Sequence, residues 1–188
     1  MLTLFRQAAT LFVVLSFLTG IAYPALATLA AQGLFPRQAK GNLIEIDGKV
    51  IGSTLIGQEF TSPRYFWGRL SATSPAYNGG ASTGSNLGPS SEVLHETAVA
   101  RVAALRAADP DSKEQIPVDL VTASGSGLDP DISIASAKYQ AGRVARERGI
   151  ERARVDELIE QHAQRPVLPG FGEPRVSVLA LNLALDSE

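Results

Sequence analysis

Hydrophobic positions are most densely packed at the N-terminus, where Ala8 to Ala31 reads AATLFVVLSFLTGIAYPALATLAA without one charged residue. As a helix this run would measure about 36 Å, longer than a hydrocarbon core of about 30 Å, and so it is expected to span a bilayer. Pro24 is compatible with a spanning helix when neighbours or Thr side chains compensate the lost backbone bond. The competing expectation is a secretory signal peptide. Arg6 supplies the positive start, Ala8–Gly20 the apolar stretch, and Ala25-Leu26-Ala27 a cleavage-like site. Apolar residues continue past Ala27 through Leu29, Ala30, Ala31, Leu34 and Phe35, which favours a retained anchor. Arg6 on one side and Arg37 with Lys40 on the other leave the positive-inside rule with almost no bias.

Beyond the anchor the periodicities are short. Ile44 to Val50 alternates around Asp47-Gly48 and predicts a hairpin with Val50–Ile56 as the second strand. Phe60, Tyr65, Phe66 and Trp67 cluster as core or interface aromatics. A loop rich in Ser, Thr, Gly and Asn runs from about Arg69 to Pro89, a length that implies a function or a partner. A helix is expected after Ser90 or Ser91, with Leu94, Ala98, Val102 and Leu105 on one face and a stop at Asp109-Pro110. Val118–Ala123 reads as a short strand. Asp129-Pro130 reads as the start of a helix reaching Gly149, and Glu151–Gln164 as a further helix with Val155, Leu158, Ile159 and His162 on one face. After Pro166 and Pro169, Arg175–Leu183 reads as a final strand. Mixed helices and strands without a regular βαβ period make the soluble part α+β.

Composition removes several chemistries. A formal charge of −2 and the lack of any basic run leave no footprint for nucleic acid, and the absence of Cys removes thiol chemistry and disulfides. Gly79 and Gly84 have the glycine spacing of a phosphate-binding loop, but Ser85 and Asn86 stand where Lys should follow. Gly80-Ala81-Ser82-Thr83-Gly84 formally matches the nucleophile elbow of hydrolases, so an exported serine hydrolase with Ser82 as nucleophile is the alternative function. The residues before Ser82 do not read as a strand. His95 lies among Glu92 and Glu96 as a solvated side chain, and His162 shares an apolar face. Gly125-x-Gly127 could open a dinucleotide fingerprint, yet Pro130 occupies the third glycine position. His95 with Glu92 or Glu96 offers too few ligands for a metal.

Several longer stretches carry a resemblance. They are Tyr77-Asn78-Gly79-Gly80 with Gly84-Ser85-Asn86-Leu87-Gly88-Pro89, Pro117 to Pro130 (PVDLVTASGSGLDP), Tyr139-Gln140 with Arg143-Val144-Ala145 and Arg148-Gly149, and Gly172-Glu173-Pro174-Arg175-Val176 with Leu181 to Asp186. Together they resemble the C subunit of the bacterial Kdp potassium-transporting P-type ATPase, over essentially the whole chain. Asp131 stands where that family more often has His, Ser177 where Asn is more usual, and Ser91 where Asn commonly follows the Gly88-Pro89-Ser90 turn.

The resemblance implies a non-catalytic, single-span subunit of the inner membrane, with a cytoplasmic N-terminus over 1–7, a transmembrane helix over 8–31 and an extracytoplasmic domain over 32–188. Its implied partners are the ATP-hydrolysing P-type subunit, the channel-like potassium-binding subunit, a further small membrane subunit, and the lipid bilayer. It implies no cofactor for this chain, since ATP and K+ are handled by the complex, and a role described for the family as a catalytic chaperone raising ATP affinity. The sequence has no D-K-T-G-T phosphorylation motif. Expected structural or partner-facing loops comprise Tyr77, Asn78, Gly79, Gly80, Gly84, Ser85, Asn86, Leu87 and Gly88, then Gly125, Gly127 and Asp129, and finally Gly172, Glu173, Pro174 and Arg175.

Overall fold

The computed structural model describes every residue except 167, 169 and 171, so Pro169 lies outside the described residues. The chain divides into two compact units, Met1–Ile51 and Gly52–Glu188. In the first, helix α1 (Leu2–Phe17), a π-helical segment Leu18–Ala22 and helix α2 (Tyr23–Leu34) form one apolar helix. It extends beyond the 8–31 segment at both ends, and its 33 residues correspond to about 50 Å. None of its residues is buried. The π segment has a local cause. Pro24 has no N–H to give the carbonyl of Gly20 and its ring crowds that carbonyl, so the hydrogen-bond ladder is displaced just upstream.

A break at Phe35 and a single turn, α3 (Pro36–Ala39), lead into strands β1 (Leu43–Ile46) and β2 (Lys49–Ser53). Asp47 and Gly48 both have positive φ, as the tight hairpin turn of the expected Asp-Gly signal requires. The hairpin is present, with a second strand shorter than Val50–Ile56 implies.

The second unit is built on helix α4 (Glu92–Ala108), strand β3 (Asp131–Ser133), helices α5 (Ile134–Arg148) and α6 (Arg152–His162), strands β4 (Ala163–Gln164) and β5 (Arg175–Ser177), and helix α7 (Val178–Asp186). The sheet order is β3-β5-β4, and both pairings are antiparallel. Ile132 and Val176 face each other in register and are buried, which sets the sheet's core side. Around them pack Leu120, Val144, Val155, Leu158, Ile159, Val178, Leu181 and Leu185. The mixed α/β architecture agrees with the sequence.

Three local expectations are corrected. Val118–Ala123 is not a strand: Val118–Leu120 is a 3-10 turn in which only Leu120 is buried, followed by a single bridge between Leu70 and Ala123. Asp129 does not cap α5. Its Oδ1 accepts from the Asp131 N–H in a local turn, β3 intervenes, and Ser133 is the N-cap, accepting from the Ser136 N–H. Gly149 closes α5 in the left-handed conformation as expected. Arg175–Leu183 is strand only to Ser177, whose hydroxyl caps α7 by accepting from the Ala180 N–H. An apolar run buried all round has no period to distinguish strand from helix, and here its Leu and Ala content matches the helix that forms.

Candidate docking loops

After an exposed turn closed by the Tyr65 N–H donating to the Ser62 carbonyl, residues 66–68 are buried without belonging to a helix or strand, and a buried segment of that kind must find partners for its backbone. Two amides on helices supply them. Asn182 on α7 accepts from the Phe66 N–H at 2.8 Å and donates to the Phe66 carbonyl at 3.0 Å. Gln140 on α5 does the same for Trp67, at 2.8 and 3.1 Å. Each side chain thus replaces a neighbouring strand for one residue. Arg143 donates to the carbonyls of Pro63 and Tyr65 and to Gln140 Oε1. Its burial lowers its pKa to about 10. The Arg143 and Arg101 guanidiniums lie 4.9 and 5.2 Å from the Trp67 ring, while Arg101 also donates to the carbonyls of Gly68 and Leu120.

This segment positions the loop that follows. The Ser71 hydroxyl donates to the Gly127 carbonyl and accepts from the Tyr77 N–H at 2.9 Å, and Thr73 Oγ1 accepts from the Asn78 N–H at 2.9 Å. Tyr77 has a positive φ, and its hydroxyl donates to the Arg69 carbonyl at 2.6 Å. Burial holds that phenol above its ordinary pKa, with Arg101 opposing. The Thr83 N–H and the Ser82 hydroxyl both donate to the Ser126 carbonyl, at 3.0 and 2.9 Å.

The loop with Tyr77, Asn78, Gly79, Gly80 and Gly84 is therefore clasped to the loop with Gly125, Gly127 and Asp129. Glycine is what allows the closeness. A Cβ on Gly84 would lie 2.8 Å from the Gly125 carbonyl oxygen, and one on Gly127, already at φ +69, would lie 2.7 Å from the Thr83 oxygen.

The third expected group joins through Asp129. A cleft of about 270 Å³ is lined by Arg69, Asp119, Asp129, Asp131, Glu173, Pro174 and Arg175, among others. Asp129 pairs with Arg69 at 3.1 Å and Asp131 with Arg175 at 2.7 Å. Asp119 accepts from the Ser133 N–H and from the hydroxyls of Ser133 and Ser136. Burial raises the Asp131 pKa, with Arg175 pulling it down. Gly172, with φ +103, precedes this group. Three carboxylates here already serve backbone N–H groups, hydroxyls or guanidiniums, so the arrangement is suited to fixing loops.

Ser85, Asn86, Leu87 and Gly88 are different. They lie exposed beyond the clasp, with Asn86 at positive φ and a turn closed by the Ser91 N–H donating to the Gly88 carbonyl. Ser82 does not sit between a strand and a helix, and its hydroxyl is committed to Ser126. His95 is exposed, and His162 Nδ1 lies 2.9 Å from the Leu158 carbonyl oxygen. The glycines after Val118–Ala123 lack the strand that a dinucleotide fingerprint needs.

Sequence reasoning missed Gln140, Asn182, Arg143, Ser71 and Asp119 as organising residues. For Asn182 a signal existed: it stands alone among the apolar positions of α7, where an uncharged polar group needs a specific partner, whereas Gln140 lies among Ser136, Lys138 and Arg143 and gives no such signal.

The family model for the K+-transporting ATPase c chain matches residues 5–187. The chain is 58% identical over 187 residues to the potassium-transporting ATPase KdpC subunit of Sorangium cellulosum, covering 99% of this chain and 98% of that one. It is 59% identical to the protein of the same name from Methylibium petroleiphilum, again covering 99% and 98%, and 56% identical to that of Herpetosiphon aurantiacus, covering 99% and 97%. The chain, with its long apolar N-terminal helix, thus belongs to the KdpC family of potassium-transporting ATPase subunits.

Proposed function

We propose that the chain is a non-catalytic accessory subunit, inserted once in the bacterial inner membrane with its N-terminus cytoplasmic and its second unit outside. It holds together the ATP-hydrolysing P-type subunit and the channel-like potassium-binding subunit, with a further small membrane subunit as an additional neighbour. One observation carries this reading. The Ser71 and Ser82 hydroxyls of the clasp and the carboxylates of Asp119, Asp129 and Asp131 in the cleft are spent on internal bonds, while the tip at Ser85–Gly88 is offered outward with Leu87 exposed. A surface arranged in that way suits docking better than chemistry.

The subunit also raises the affinity of the ATP-hydrolysing subunit for ATP. A unit outside the cell cannot touch cytoplasmic nucleotide, so the effect runs through assembly, which shifts the population of pump conformations. The test compares potassium-stimulated ATPase activity of the complex purified with and without this chain. A higher KM for ATP without it supports the chaperone role, and an unchanged KM sinks that role. ATP photo-crosslinked to 79–88 or 125–129 would instead show direct contact and overturn the indirect route.

A further inference from the structure

The apolar helix of the first unit has a gap in its hydrogen-bond ladder, and the gap lies near its centre. In the ordinary i+4 register Pro24 fails the Gly20 carbonyl; in the i+5 register of Leu18–Ala22 it fails the Thr19 carbonyl instead. The i+4 donor to Thr19 is the Tyr23 N–H, and that group is taken by the Leu18 carbonyl. The Thr19 carbonyl therefore loses both. Its own side chain gives no relief, because the Thr19 hydroxyl donates to the Leu15 carbonyl at 2.8 Å. No side chain among the described residues donates to it.

Depth decides what can supply the missing donor. Along the helix Thr19 lies about 26 Å from Leu2 and about 22 Å from Leu34. It also stands at the middle of the uncharged run Ala8–Ala31, so a core about 30 Å thick centred on that run leaves about 15 Å of acyl chain between Thr19 and either headgroup layer. A bare carbonyl in hydrocarbon is strongly unfavourable, and interfacial water and lipid headgroups are too far away to relieve it. A neighbouring helix is not. Thr19 and Gly20 are exposed, and a side chain at Gly20 would meet nothing within 4 Å, so the way is open to a second helix at close range.

We propose that the Thr19 carbonyl is a docking point inside the membrane for a transmembrane helix of a larger subunit, which reaches it with a hydroxyl or carboxamide side chain that donates a hydrogen bond. Pro24 creates the site by withholding the N–H that would otherwise fill it, and Gly20 admits the partner. The site is selective. An apolar side chain on the partner has no donor to give, and a charged one is costly at this depth. The inference rests on Leu2–Leu34 being the membrane anchor and on assembly with the larger subunits.

The test reads that carbonyl directly. Threonine is followed by glycine only at Thr19-Gly20 and Thr83-Gly84, so threonine labelled isotopically at its carbonyl carbon, with glycine labelled at nitrogen, gives two linked signals in solid-state NMR. Thr83→Ser removes one of them and so assigns the other to Thr19. The full chain is measured alone in phosphatidylcholine vesicles, and again after assembly with unlabelled larger subunits. The proposal expects the Thr19 carbonyl signal to move downfield on assembly, as it gains a donor. Pro24→Ala returns an N–H to the ladder. It should place the signal downfield in the chain alone, remove the change on assembly, and weaken binding of the larger subunits by about threefold, the worth of one interhelical hydrogen bond in a bilayer. A signal unchanged by assembly of the parent chain overturns the proposal, whether the carbonyl stays bare or is already served by water or a second copy of this chain. Larger subunits that fail to bind even the parent chain would overturn the assembly reading and the proposal with it, a failure seen before any signal is measured.

Discussion

The two units handle apolar and polar surface in opposite ways. The first exposes a continuous apolar helix with no buried residue, while the second buries polar side chains, among them Ser136, Gln140, Arg143 and Asn182, inside a well-packed core. In water the first arrangement would be unfavourable throughout its length, because apolar area left unburied forgoes about 25 cal/mol per Å². In a membrane it is the expected one, since lipid replaces the core and a helix satisfies its own backbone groups, here with the Thr19 carbonyl excepted. The second unit mostly follows the rule for water: Ser136, Gln140, Arg143 and Asn182 are buried and hydrogen-bonded, while the Tyr139 hydroxyl is a buried exception without a partner. One chain is thus fitted to two solvents.

The largest effect expected from breaking this division is in the anchor. Leu15→Arg with Leu18→Arg places two charges near the middle of the apolar helix, at roughly 5–7 kcal/mol of insertion free energy. The chain should leave the membrane fraction in cell fractionation, while the second unit keeps its unfolding transition. The converse is Gln140→Leu, which adds apolar character where the anchor would tolerate it. In the second unit it strips the Trp67 N–H and carbonyl of their partners, and stability should fall by about 3 kcal/mol in urea unfolding with membrane retention unchanged.

Gly127→Ala is next, at about 2 kcal/mol, because it puts a side chain in left-handed backbone against the Thr83 oxygen. Hydrogen exchange at the Thr83 amide should accelerate as the clasp loosens. Asp131→Asn is the smallest and depends on pH. Burial raises the Asp131 pKa in the folded state, so its contribution to stability is fully present below the unfolded pKa and lost as pH rises through the folded value. The variant's stability relative to the parent should therefore improve between about pH 3 and pH 7, read by thermal unfolding at each pH. A constant difference would show that Arg175 fully offsets the burial.

What the sequence made legible follows the same division. The long apolar helix was legible because it is a long run of uniform polarity, and the hairpin because Asp-Gly is a strong turn signal. Helices α4 and α6 and the glycine end of α5 were legible, although Ser91 makes no side-chain cap bond and Val102, expected on the apolar face of α4, is exposed. The short strands were not. β3 and β5 have three residues each and exist because Ile132 and Val176 meet across distant parts of the chain, which local pattern does not encode. Of the docking loops, the residues could be named from resemblance, but the clasp between 71–84 and 124–129 could not. It is made by Ser71, Thr73, Ser82 and Ser126, residue types common in any loop.

Ser177 shows how a departure from the family pattern can be harmless, because a serine caps α7 well. At Asp131 the departure has a visible partner in Arg175.

The most direct measurement is an affinity pull-down through a C-terminal tag from detergent-solubilised membranes, scored for co-purifying subunits and potassium-stimulated ATPase activity. A full-length chain that brings down both larger subunits and that activity is the predicted result. A chain recovered soluble, shortened by cleavage near Ala27 and alone would contradict an anchored assembly subunit.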